Sequence, residues 1–463
     1  MRKFFLVSSI FVFLTAVALA EESSSSISCP CLIVKAKELA GKLDDLLDDF
    51  AKPIPLYEDQ IKIKFGAESR YRFELKNNFN FNDATNEDDA VNLIRNRLSV
   101  DLTLRSLLRI FAEGQDAESF AESGLNKTNA FIDRFDLHQL YGELKSPWNE
   151  IPLTVTVGRQ PLAYGDQRFV GYSIWSNVSN LYDAAKATYV PTKWFQVDTW
   201  FSRRVLVTRN RVDSSDHADN FYGLYTTLKP LVDQIFDTFL FIRHNRNNEI
   251  VGEKPGELGQ LKEYTVGNRF KGKKYNFDYG IEWAWQFGSR AHDDIKAWAW
   301  HNDVGYTLTA LPWSPHPNFE YNYGSGDGDP HDGDYQNFDN LFPSNHSKYG
   351  YMDFVSLRNI HDFKIGNDLK LTKRLKLTTD YHWFFLDTNS SAWFNASQGV
   401  VRSAKSGAST TLGQELDLLT IWQMSKHLEF WIGYSHFHAG PFAKDTGAHD
   451  SADFVYTQVT LKV

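Results

Sequence analysis

Between Ile61 and Leu75 the chain places Lys62, Lys64, Glu68, Arg70, Arg72 and Glu74 on one parity, with Ile61, Ile63, Phe65, Ala67, Tyr71, Phe73 and Leu75 on the other. Arg97 and Arg105 repeat the device, with Leu98, Val100, Leu102 and Leu104 on the opposite parity. Side chains at a spacing of two share one face of a strand. Guanidinium groups gathered there can bind: their planar fork suits carboxylates, and rings of Arg and Lys select anions in a pore. The chain carries no G-x-S-x-G, H-E-x-x-H or P-loop, so binding without catalysis is the expectation and no enzyme is read.

A second chemistry is offered by Gly324 to Asp334, where Asp327, Asp329, Asp332 and Asp334 are interleaved with glycines. Such a loop can wrap a hard cation in oxygen ligands, calcium being the natural guest. Its spacing is not that of an EF-hand, and a solvated acidic loop explains the composition equally well. His436 and His438, two apart near Asp445 and His449, are read as polar surface rather than a metal site, and no cofactor is required.

These side chains need strands to hold them. Mean hydropathy is -0.41 and aromatics are 15% of residues. After the N-terminus no run reaches the roughly 18 apolar residues of a membrane helix. Polar on average, aromatic-rich and alternating is the pattern of a membrane β-barrel. Strands are read near 61–75, 97–105, 106–115, 132–145, 151–161, 181–191, 194–206, 219–229, 234–245, 262–272, 276–288, 296–309, 317–324, 356–370, 374–387, 410–423, 427–438 and 453–463, eighteen in all. The fold class is therefore all-β, an 18-stranded antiparallel transmembrane β-barrel. Connections at 191–193, 373–374 and 424–427 are tight, whereas 116–131, 163–180, 324–355 and 388–409 are long. Long loops in such barrels are extracellular and short turns periplasmic. Trp283, Trp285 and Phe287, then Trp298, Trp300 and Tyr306, and Phe430, Ile432 and Tyr434 share outward faces as interfacial girdles.

Parity then turns Lys64, Arg70, Arg72, Arg97, Arg105, Arg204, Arg269 and Arg358 inward, together with Glu68, Glu74, Asp101, Asp198, Glu282, Asp303, Asp380 and Glu415. Two readings stay open: the charges pair with one another to fill a wet interior, or their cationic members select anions.

The N-terminus divides the chain. Residues 1–20 have a charged Arg2-Lys3, an apolar core and an Ala18-Leu19-Ala20 cleavage site, which is a secretory signal peptide. Residues 21–56 hold a Ser-rich linker, Cys29 and Cys31, and a short amphipathic helix with Leu39, Leu43, Leu46 and Phe50 on one stripe, expected in the periplasm. Residues 57–463 form the outer-membrane barrel. The formal charge of -9 becomes -11 once Arg2 and Lys3 are removed, which argues against a nucleic-acid partner.

Gly158-Arg159-Gln160-Pro161-Leu162-Ala163-Tyr164-Gly165-Asp166-Gln167-Arg168, followed by Trp175-Ser176-Asn177 and Tyr182-Asp183, resembles the signature of the alginate export family of outer-membrane porins. Tyr323 to Asp327, Leu341-Phe342-Pro343, Gly413 to Asp417 and Gly433 to Phe437 add weaker matches. The resemblance implies an Arg-lined constriction through which an anionic polysaccharide such as alginate leaves the periplasm. It also implies pore roles for Arg159, Asp166 and Arg168, and for Arg134, which is similar to a pore arginine. Strict alternation from Val155 and Val157 turns Arg159 outward, so a place in the lumen would need a local bulge. The Cys-Pro-Cys helix departs from the family pattern. Expected partners are the anionic polysaccharide, outer-membrane lipid and, through the helix, periplasmic export components. A general or oligosaccharide-uptake porin is the alternative.

Overall fold

The computed structural model describes residues 30–57, 60–85, 89–121, 131–146, 151–209 and 211–463. The signal peptide, the Ser-rich linker and Cys29 lie outside these residues.

Period-two alternation dictates strands, and twenty strands form one sheet. Eighteen of them span the barrel: β1 Ile61–Asn77, β2 Asp89–Leu104, β3 Leu108–Ala121, β4 Asp133–Lys145, β5 Leu153–Gln160, β6 Tyr182–Thr192, β7 Phe195–Leu206, β8 Ser214–Leu228, β9 Gln234–Val251, β10 Leu258–Lys274, β11 Phe277–Arg290, β12 Asp293–Tyr306, β13 His316–Gly324, β14 Ile360–Lys370, β15 Leu375–Phe385, β16 Thr411–Gln423, β17 Leu428–Ala439 and β18 Ala452–Lys462. Each pairs antiparallel with the next. Closure comes from β18 against β1, from Glu68↔Lys462 to Asn77↔Asp453, so no long edge is left open. The strand set is the one expected from sequence, with β2 starting earlier and β14 starting later than the pattern suggests.

The two faces differ as the bilayer requires. Outward positions hold the girdle aromatics, with Trp285 53% and Trp298 48% exposed to the surroundings. A charge on this lipid-facing side would cost roughly 2–4 kcal/mol at the bilayer midplane, falling to about 0–1 kcal/mol near the interfaces where the girdles lie. Inward positions carry Arg70, Arg72, Glu74, Asp237, Arg269, Glu282 and Glu320, all buried.

Those inward groups are buried because the barrel is filled. Residues 161–181 and 325–359, the connections after β5 and β13, leave the long-loop end and run into the lumen. There Phe169, Val170, Phe338, Leu341, Phe342 and Phe354, with Trp393 from the connection after β15, join Phe239, Phe241 and Phe437 of the wall in one apolar cluster. Within the cluster the two loops are sewn together. Val170 and Phe342 form a parallel bridge, Gly171 N donates to Phe342 O at 2.8 Å, and Ser344 N donates to Gln167 O at 2.9 Å.

At the short-turn end α1, Pro30–Ala51, lies against the barrel's outer wall. Leu43 and Leu47 pack on Leu428 and Leu461, an outward-facing cross-strand pair of β17 and β18. Asp44 accepts from Ser425 Oγ at 2.6 Å, and Asp48 accepts from His427 Nε2 at 2.9 Å. The buried pair is thus Leu43 and Leu47. Leu46 and Phe50 of the expected stripe remain 43% and 39% exposed, because the helix rolls to place its aspartates on the β16–β17 turn.

Candidate functional site

An irregular backbone inside a barrel exposes peptide groups that no ladder satisfies, and they must find side-chain partners. Arginines of β1 and β2 supply them for residues 174–177. Arg70 Nη1 donates to Ile174 O at 2.9 Å, and its Nη2 donates to Asn177 Oδ1 at 2.9 Å. Arg72 Nη1 donates to Trp175 O at 2.7 Å, while its guanidinium lies 3.6 Å from the Trp175 ring centroid. Arg95 Nη1 reaches Ser176 O at 3.0 Å. Arg97 donates to Gln115 Oε1 at 2.8 Å, Tyr172 Oη at 3.0 Å and Ser179 Oγ at 3.2 Å. On its other face Trp175 stacks on His346 at 3.8 Å, which joins this wall to the second loop.

The carboxylates here are too few for the guanidiniums. Glu74 pairs with Arg72 at 2.7 Å and Lys76 at 3.0 Å, and Glu68 pairs with Arg95 at 2.5 Å. Arg70 and Arg97 donate only to neutral acceptors in the bonds above. Below the loop, toward the short-turn end, a cavity is lined by Glu68, Arg95, Arg97, Glu113, Gln139 and Tyr172.

The facing wall is balanced. Tyr164 stacks on Trp200 with centroids 4.5 Å apart. Gly165 follows at φ +57, so close to Tyr225 that a Cβ would lie 3.0 Å from its hydroxyl. This tight passage aims Asp166 at Arg269 (3.1 Å) and Lys271 (2.9 Å). Burial pushes the Asp166 carboxyl up, but the two cations outweigh it and hold it below the usual carboxylate range. Arg269 also bonds Asp237. Two residues on, Arg168 pairs with Glu320 at 2.8 Å and lies 3.6 Å from Glu282; Lys364 meets Glu320 at 2.7 Å. Four cations therefore face four carboxylates.

Of the residues singled out from sequence, Arg70, Arg72, Arg97, Asp166, Arg168 and Arg269 converge on the lumen. Arg204 and Arg358 sit at its long-loop mouth. Arg204 bonds Asn180 Oδ1 at 3.3 Å, and Arg358 lies 4.2 Å from the Phe394 ring centroid and bonds Tyr335. Lys64 is exposed near the short-turn end. Arg105 occupies the β2–β3 turn and bonds Gln60 Oε1 at 2.9 Å. Arg134 and Arg159 stand on the outer face. Arg134 pairs with Glu118 at 2.5 Å. Arg159 pairs with its cross-strand neighbour Asp183 at 3.0 Å. β5 and β6 keep continuous register from Leu153↔Tyr189 to Gln160↔Tyr182, so no bulge turns Arg159 inward.

The aspartates of 327–334 do not gather their oxygens into one group among the described residues. Asp334 pairs with Lys296 at 2.6 Å, and Asp327 accepts from Gln336 N at 3.2 Å. His436 pairs with Asp453 at 2.9 Å.

Sequence reasoning missed Arg95, whose parity matches Arg97, because the inward positions before it are Val91 and Leu93. Those residues are buried and apolar, so they hide the alternation. Trp175 was visible only as part of a motif, and Lys348 and Lys364 gave no local signal.

A family model described as alginate export matches residues 61–457. The barrel superimposes on crystal structures of Pseudomonas aeruginosa OccK5 (OpdH), with TM-score 0.57, 11% identity, 87% of this chain and 98% of that one. It also superimposes on OccK8 (OprE) of the same organism, with TM-score 0.57, 11% identity, 89% of this chain and 99% of that one. At that identity the likeness is one of fold. A search of curated proteins finds no match.

Proposed function

The chain belongs to the alginate export family, and on that premise we propose that it carries an acidic polysaccharide such as alginate out of the periplasm through an anion-selective lumen. Family and fold are those of an outer-membrane channel. The finer reading rests on one observation: four buried guanidiniums on β1 and β2 hydrogen-bond only to Glu68, Glu74 and neutral acceptors. A uronate polymer is a chain of carboxylates, and a cationic wall with a balanced wall opposite gives it many weak contacts without a trap. In this reading the short turns and α1 lie in the periplasm, where exposed Asp45 and Asp49 are open to export components.

Single-channel recording in planar bilayers tests the proposal. Reversal potentials in a KCl gradient should report anion preference, and polyuronate added to the short-turn side should block the current. A cation preference, or indifference to polyuronate alongside passage of neutral oligosaccharides, would overturn it in favour of an uptake porin.

A further inference from the structure

At the rim of the long-loop end, one carboxylate oxygen from each of Asp133, Asp136 and Asp213 lies within 4.8 Å of the others. The first two come from one strand. Phe135 between them adopts φ +48, and β4 shifts register against β3 between Gln115 and Ala117. The shift brings side chains three apart to the same side. Asp213 arrives from the β7–β8 connection and seats itself by donating its N–H to Asp136 Oδ2 at 2.8 Å.

The donors to this group are neutral. Gln115 Nε2 serves Asp133 Oδ2 at 2.8 Å, Leu137 N serves Asp136 Oδ1 at 2.6 Å, and Thr208 N serves Asp213 Oδ1 at 2.6 Å. The neighbouring Arg159 directs its guanidinium at Asp183 and at the main-chain oxygens of Leu137 and Asp213. Arg134 is held by Glu118. Asp133 is 1% exposed, and its Oδ1 is buried with no hydrogen-bond partner. A buried carboxylate oxygen with no protein donor beside two further carboxylates is suited to a cation as its partner.

We propose that Asp133, Asp136 and Asp213 form a binding site for a hard divalent cation of calcium's size, which ties the β7–β8 connection to the rim of β4. Oxygens about 2.4 Å from one calcium ion can be at most about 4.8 Å apart, and the observed limit meets that condition. Water reaching the partly exposed Asp213 completes the coordination shell. The site lies on the rim beside the departure of residues 161–181 and is independent of what passes through the lumen.

Calorimetric titration of calcium chloride into the EDTA-stripped, detergent-solubilised full chain tests it, with heat-modifiable gel mobility confirming a folded barrel. The wild type should bind calcium saturably below about 5 mM, above the range of about 10⁻⁴–10⁻³ M usual for extracellular calcium modules. Asp213→Asn, a loop substitution outside the strands, should remove one equivalent or weaken it at least ~10-fold, and Asp133→Asn should do the same. The combined Asp327→Asn, Asp329→Asn, Asp332→Asn and Asp334→Asn variant should keep that equivalent. No saturable binding in the wild type, binding unchanged in Asp213→Asn, or loss confined to the 327–334 variant would overturn the site.

Discussion

On the β1–β2 wall of the lumen, arginine outnumbers its counter-ions and spends its donors on the carbonyls of residues 174–176. On the β9–β14 wall, the cations and carboxylates held in ion pairs match one for one. The same side chain therefore does two jobs. Where donors meet peptide oxygens, a loop is pinned and positive charge remains for an anion to feel. Where they meet Asp166, Glu282 and Glu320, the loop is pinned and the charge is cancelled. A count of inward arginines cannot separate these cases, because the difference lies in the acceptor.

The largest effect should come from Arg72→Ala. It strips Glu74 of its closest partner and Trp175 of both its carbonyl donor and its stacked cation. Breaking a buried pair costs about 3–5 kcal/mol. Urea unfolding of the refolded barrel should show a loss of that size, and a loss below ~1 kcal/mol would mean that the loop is held elsewhere.

Next in size, Arg97→Glu should cut the anion-to-cation permeability ratio about 10-fold or more by reversing a charge that has no carboxylate among its hydrogen-bond partners. Lys271→Gln on the opposite wall, a half-exposed partner of Asp166, should change the ratio less than ~2-fold, because Arg269 still holds that carboxylate. Equal responses to the two substitutions would erase the distinction between the walls.

The smallest effect is one of pH. Burial, then the nearby Arg168, push the Lys348 ammonium down to about 8. The charge is present below that pH and lost above it. Anion preference should therefore decline modestly as pH rises from about 7 to about 9, and Lys348→Gln should flatten the profile at its high-pH level. A profile that keeps its slope in the variant would assign the titration to another group.

Strand number, strand order and the outward aromatics were legible because alternation at a period of two is a local property, repeated in every segment from Ile61 to Lys462. The candidate site was legible in part. Arg70, Arg72 and Arg97 follow from parity alone, and so does the outward direction of Arg159. That side chain obeys the alternation set by Val155 and Val157 despite its place in the family block.

By itself the sequence determined a closed barrel, its inward and outward faces and the arginines on its first two strands, since each follows from neighbours one or two positions away. Only the tertiary structure decided that residues 161–181 and 325–359 enter the lumen and lock through Val170 and Phe342. It alone decided that Trp175 lies between Arg72 and His346, and that Asp133, Asp136 and Asp213 meet. These contacts join residues tens to hundreds of positions apart, and their partners are set by how the loops satisfy buried peptide groups inside the finished barrel, which no local pattern encodes.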